Sequence, residues 1–171
     1  MVPVEVLTLI ASPAPSPSVL VLKPDEKPVA PGKSRVVPIF VGAPEAVSLG
    51  MALENMRFAR PTTHDLFLDT ITNLDATIDH VLINRVKGKM FFSKLVLSQH
   101  GRLIEVDARP SDAIALAVRE DAPLFIDEDV LDTASYPYLY RTPFDEKQQL
   151  AEFHSFLETL EPEDFREDSE Q

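Results

Sequence analysis

The sequence predicts an α+β fold: a mixed, largely antiparallel sheet packed with helices in a single compact domain, followed by a C-terminal helical tail. Three observations carry this. Runs rich in Val and Leu, bounded by proline-rich loops, read as strands near the N-terminus. Further on, consecutive short strands joined by tight turns read as an antiparallel meander. The segment AIALAV, apolar on every side, reads as a buried helix. The domain is expected over 1–142 and the tail over 143–171.

The elements follow in order. Residues 2–10 (VPVEVLTLI) and 18–23 form strands, separated by SPAPSPS, whose prolines cannot hold a ladder. The loop PDEKPVAPGKS leads to a strand at 35–41, where Pro38 implies an edge or a bulge. Gly42-Ala43-Pro44 opens a helix, with Leu49, Ala52, Leu53 and Met56 at helical spacing through Arg57. A second helix starts within RPTTHDL at 60–66, where Thr62 and Asp65 have capping-box spacing although Thr63 could equally be the cap, and Leu66, Phe67, Ile71 and Leu74 supply its expected buried stripe. The meander runs through 77–86, a turn at Gly88, 90–98, a turn at His100-Gly101, and 102–107. Pro110-Ser111-Asp112 starts the alanine-rich helix, and a last short strand at 124–126 precedes a helical turn at 128–131. In the tail, Leu150, Phe153, Phe156, Leu157 and Leu160 mark one amphipathic helix.

Composition excludes several classes. Apolar residues are 44% and charged residues 26% of 171, which rules out wholesale disorder. Cysteine is absent, so there is no disulfide framework, zinc ribbon or thiol nucleophile. The five glycines are not spaced as a nucleotide-binding loop requires, and Lys27 stands where a phosphate loop ending in Gly32-Lys33-Ser34 would need glycine. The four histidines show no zinc-ligand spacing. No apolar run is long enough to span a membrane, and the N-terminal run from Val2 to Ala11 carries Glu5 instead of a basic start. A cytoplasmic protein without an organic cofactor is expected.

A formal charge of −12 argues against a nucleic-acid partner until its distribution is considered. Residues 143–171 hold ten acids and two bases, whereas 1–142 hold eighteen acids and fourteen bases. Within the latter, 85–102 carries Arg85, Lys87, Lys89, Lys94 and Arg102 and no acid. This stretch can follow a phosphate backbone, with Phe91 or Phe92 as a stacking surface. Its plain alternative is a solvated hairpin with Phe91-Phe92 in the core, and Lys94 must either snorkel or pair.

Several blocks resemble one family in the right order: VVPIFVGAPEA at 36–46, RPTTHDL at 60–66, IEVDARPSDAIALAVRE at 104–120 and APLFIDEDVLD at 122–132. On these residues the chain is identified as a member of the bifunctional nuclease domain family, of the short bacterial type without a UVR motif. The resemblance implies a compact α+β domain, assembly into homo-oligomers, and a nuclease acting on DNA or RNA. Longer loops at 11–17 and 24–34 are the main departures from the family pattern.

Within DARPSD, strand alternation puts Glu105 and Asp107 on one face, about 7 Å apart. Arg109 follows, and Ser111 and Asp112 sit at a helix N-terminus that favours an anion. Asp107, Glu105 and Asp112 are therefore candidate ligands for a divalent metal (Mg or Mn), with Asp107 and Asp112 as candidate catalytic groups. Arg109, Ser111, Arg85, Lys87 and Lys89 are candidates to hold phosphates. His64 and Asp65 form a second candidate acid–base pair. The plain alternative has Ser111 capping its helix, Asp112 answering the helix dipole, Arg109 pairing with Asp107, and His64 bonded locally. The function expected is metal-assisted hydrolysis of phosphodiester bonds with low sequence preference. The alternative is a non-catalytic homo-oligomeric module binding an anionic small molecule or a protein partner at the same corner. The tail helix is expected to complete the core or an oligomer interface, the sharper alternative being that its acidic end competes with phosphate for the basic stretch.

Overall fold

The computed structural model describes residues 1–13, 15–26 and 33–139, so the tail expected at 143–171 lies outside the described residues. Nearly all of the described structure falls in one compact unit, Met1–Lys27 with Arg35–Tyr138.

Its elements are β1 (Val2–Ile10), β2 (Ser18–Pro24), β3 (Lys33–Val41), α1 (Ala43–Leu53), α2 (Thr63–Asn73), β4 (Ala76–Lys87), β5 (Met90–Gln99), β6 (Arg102–Ala108), α3 (Pro110–Arg119), β7 (Leu124–Ile126), α4 (Glu128–Ala134) and β8 (Tyr136–Leu139). The strands form one mixed sheet in the order β6-β5-β4-β7-β1-β2-β3-β8. Neighbours among β1, β2 and β3, and among β4, β5 and β6, are antiparallel, while β7 runs parallel to β4 and antiparallel to β1. The short β7 thus joins the two antiparallel halves. The expected meander is β4-β5-β6, and its second turn, His100-Gly101, has positive φ at both residues, the geometry that matches the twist of paired strands.

Alternation decides the core. Leu20, Leu22, Val37, Ile39, Val81 and Ile83 share one face of the sheet and are buried against all four helices. Helix α3 sits at the centre, packed on β4, β5, α1 and α2, with Ala113 to Ala117 buried. Its alanines let the backbone approach closely, while Ile114 supplies the volume, and truncating it to alanine would cost about 2–5 kcal/mol. Among the described residues no helix is long and apolar enough to cross a membrane.

Three local expectations are corrected. Helix α1 ends at Leu53 because Asn55 takes a left-handed conformation (φ 50°), leaving Leu53 and Met56 exposed. Helix α2 buries Leu68 and Ile71, whereas Leu66, Phe67 and Leu74 are exposed. The row facing α3 and β4 is the one on the side of Asp65, which is tied to α3. Ser111 is not the cap of α3: Arg109 holds that position, and Pro110 begins the helix where its missing N–H is not needed.

Candidate functional site at the β6–α3 corner

The corner is built from the end of β6. Buried Ser93 on β5 donates its hydroxyl to the Ala108 carbonyl (2.7 Å), fixing the strand end one residue before Arg109. Arg109 is extended (φ −70°, ψ 141°), and its carbonyl accepts the first N–H groups of α3. Its side chain turns outward and is gripped by two carboxylates. Nε donates to Asp112 Oδ2 at 2.7 Å and Nη1 to Glu45 Oε1 at 2.8 Å. Both acids stand in the first turn of a helix, Glu45 in α1 and Asp112 in α3, where the dipole favours negative charge. His64 Nε2 approaches the other Asp112 oxygen at 3.5 Å, so a chain of polar contacts runs Glu45–Arg109–Asp112–His64 across three helices.

Gly42 makes the Glu45 arm possible. A Cβ at that position would collide with Glu45 Oε2, because the carboxylate folds back over the start of α1. Glycine is needed here for the close approach and not for its φ, which is an ordinary −68°.

The remaining acids divide by partner. Asp65 Oδ2 accepts from the Thr62 N–H and hydroxyl at 2.8 and 2.7 Å, and Oδ1 accepts from Arg119 Nε at 3.1 Å. These bonds, Thr62's hydroxyl foremost, hold the Asp65 carboxyl below its ordinary range. Glu105 is paired with Lys94. Lys94 lies opposite Asp107 in the β5–β6 register yet reaches the diagonal Glu105. Asp107 has no ion pair or hydrogen bond through its side chain among the described residues. Arg109 takes Asp112 and Glu45 instead of the expected Asp107.

Asp107, Arg109 and Ser111 line one side of a groove of about 970 Å³, with Lys87 and Lys89 from the β4–β5 turn and Phe40 from β3. Strands β3 and β5 are separated by four others in the sheet, which at flat strand spacing would hold them about 24 Å apart. The sheet coils enough to bring their ends to one groove. Lys87 and Lys89 have no ion pair among the described residues, nor does Arg85, whose guanidinium lies 4.1 Å from the centre of the Phe92 ring.

Of the candidate residues, then, Asp107, Arg109, Ser111, Lys87 and Lys89 meet in the groove, and Asp112 holds Arg109 with His64 behind it. Glu105, Asp65 and Arg85 are engaged elsewhere. A metal was expected on Asp107, Glu105 and Asp112. Among the described residues, no three His, Asp or Glu side chains come close enough to hold an ion, and two of that trio are committed to cations. The described residues thus assemble no cage of three protein ligands, and no step is derived through a metal. Glu45 and Phe40 were not singled out from the sequence. The acid three residues after Gly42, at the opening of a helix, was the available signal for the first.

Fold and site together define a small α+β domain whose coiled sheet carries a groove mixing unpaired lysines, a braced arginine, an unpaired carboxylate and phenyl rings. The chain belongs to the bifunctional nuclease domain family, whose model matches residues 29–138. An uncharacterized protein of Mycobacterium tuberculosis is 31% identical over 139 residues, covering 77% of this chain and 82% of that one. Bifunctional nuclease 2 of Oryza sativa subsp. japonica is 31% identical over 114 residues, 65% of this chain and 33% of its own. Bifunctional nuclease 1 of Arabidopsis thaliana is 30% identical over 118 residues, with shares of 67% and 34%. The match thus spans about a third of the plant proteins.

Proposed function

We propose that the chain is a nuclease that hydrolyses phosphodiester bonds in DNA, RNA or both with low sequence preference, and that the groove at the β6–α3 corner holds the substrate. Family membership supports the reaction class. The observation that carries the assignment to this groove is Asp107, an unpaired carboxylate lining the same cavity as Arg109, Lys87 and Lys89. In this reading Asp107 orients a water and accepts its proton as the water attacks phosphorus, while the P–O bond to the departing sugar oxygen breaks and that oxygen takes a proton from solvent. Arg109, braced by Asp112 and Glu45, meets the charge that builds on the phosphoryl oxygens, and because it is already held it needs no reordering as the reaction proceeds. Lys87 and Lys89 hold flanking phosphates, and assembly into a homo-oligomer is part of the proposal.

A second reading keeps the corner and removes the chemistry: a non-catalytic module binding an anionic small molecule or a protein partner. One observation favours it, since Asp112, Asp65 and Glu105 are each already engaged by a cation.

Purified chain incubated with labelled single-stranded RNA and DNA, beside Asp107→Asn prepared identically, separates the two. Loss of about 100- to 10,000-fold in cleavage rate on substitution supports the nuclease reading. Cleavage that survives the substitution removes Asp107 from the chemistry. No cleavage by folded wild-type chain favours the second reading.

A further inference from the structure

The lining of the groove is aromatic as well as basic. Phe40 is 55% exposed on β3 and Met90 is 63% exposed at the start of β5, whereas Phe91 packs on the core and Phe92 carries the Arg85 guanidinium over its ring. An exposed phenyl ring on a strand wants a flat apolar partner. The cations beside it are few: Lys87 and Lys89 are unpaired among the described residues, while Arg109 is already matched by two carboxylates. A duplex offers a dense rail of phosphates and hides the faces of its bases, and proteins that grip it through phosphates make about six to ten such contacts. A chain of net charge −12, with Asp107 and Glu45 on the groove wall, is poorly suited to that. An unpaired strand presents the opposite mixture, with fewer phosphates per length and open base faces.

Resting on the nucleic-acid reading of the groove, we infer that its ligand is single-stranded nucleic acid, with a base laid on Phe40 and phosphates on Lys87 and Lys89. Stacking supplies most of the affinity and the lysines supply register. Two phosphate contacts on a single strand give a salt slope of about −1.4, and a third at Arg109 brings it to about −2.

The test is fluorescence anisotropy of the full chain with a short labelled oligonucleotide, as DNA and as RNA, single-stranded and annealed to its complement, across a salt series. Phe40→Ala and Phe40→Trp are measured beside wild type. Phe40 is exposed, so neither change empties the core, and thermal melts confirm it. Single strands bound at least tenfold more tightly than duplexes, a slope no steeper than about −2, a loss of about 5- to 150-fold in Phe40→Ala, and retention in Phe40→Trp are expected. Equal or tighter duplex binding, a slope beyond about −4, or indifference to Phe40→Ala overturns the stacking inference while leaving the nucleic-acid reading in place. Absence of binding to any form overturns that reading and this inference with it.

Discussion

The first turns of α2 and α3 are chemically alike and are put to different uses. Each carries an aspartate at its third position, Asp65 or Asp112, and each aspartate meets an arginine, Arg119 or Arg109. Arg119 is 11% exposed and also donates to the carbonyls of Ala115 and Ser48, so it rivets three helices together. Arg109 is 65% exposed and its guanidinium is offered to the groove. An aspartate–arginine pair therefore says little by its residue types. Burial decides whether it holds a fold or presents a charge.

The contrast breaks most visibly at Arg119. Removing a nearly buried guanidinium strands Asp65 and two carbonyls, so Arg119→Ala is expected to cost about 2–3 kcal/mol in urea unfolding. Arg109→Ala should cost under about 0.5 kcal/mol, since exposed pairs contribute little. Equal losses at the two sites would erase the distinction.

Next in size is Asp65→Asn, expected to cost about 1 kcal/mol at neutral pH. Thr62, and then Arg119, hold the Asp65 carboxyl below its ordinary value. Its contribution is therefore present above the ordinary carboxylate pKa of about 3.9 and disappears as pH falls through the lower folded value. Unfolding curves of wild type and Asp65→Asn should accordingly converge in strong acid. A constant gap at all pH values would show that the carboxylate charge is not what the variant loses.

Arg109→Ala sharpens the other side. It is expected to flatten the salt dependence of single-strand binding by about 0.7 in slope while leaving the fold intact. Gly42→Ala should act more weakly on the same readout, about twofold to fivefold in affinity, because its methyl group displaces only the Glu45 arm of the brace. The smallest effect expected is none: chelator should leave oligonucleotide binding unchanged, since the described residues assemble no metal-ligand set. A several-fold loss in chelator would point to an ion at the groove.

Much of the fold was legible because it rests on local rules. Short runs joined by tight turns marked β4, β5 and β6, His100-Gly101 supplied the positive φ values of a tight turn, and the apolar surround of α3 announced its burial. The DARPSD corner was legible as a place. Its pairings were not, because they join elements far apart in the chain: Arg109 reaches Glu45 and Arg119 reaches Asp65. Helical spacing offered Leu66, Phe67 and Leu74 as apolar candidates on α2, but the tie between Asp65 and α3 selects Leu68 and Ile71. Phe40 was invisible as a groove residue for a similar reason. Only the coiling of the sheet carries the end of β3 to the β4–β5 turn.

Photo-crosslinking tests the central claim, that nucleic acid lies in this groove, most directly. A single-stranded oligonucleotide carrying 4-thiothymidine would be irradiated with the full chain, digested with trypsin and mapped by mass spectrometry. The account predicts adducts in the peptides 36–57 and 90–94, which hold Phe40 and the Phe91-Phe92 pair. Adducts confined to the peptide 58–85, which holds α2 and most of β4, would contradict it.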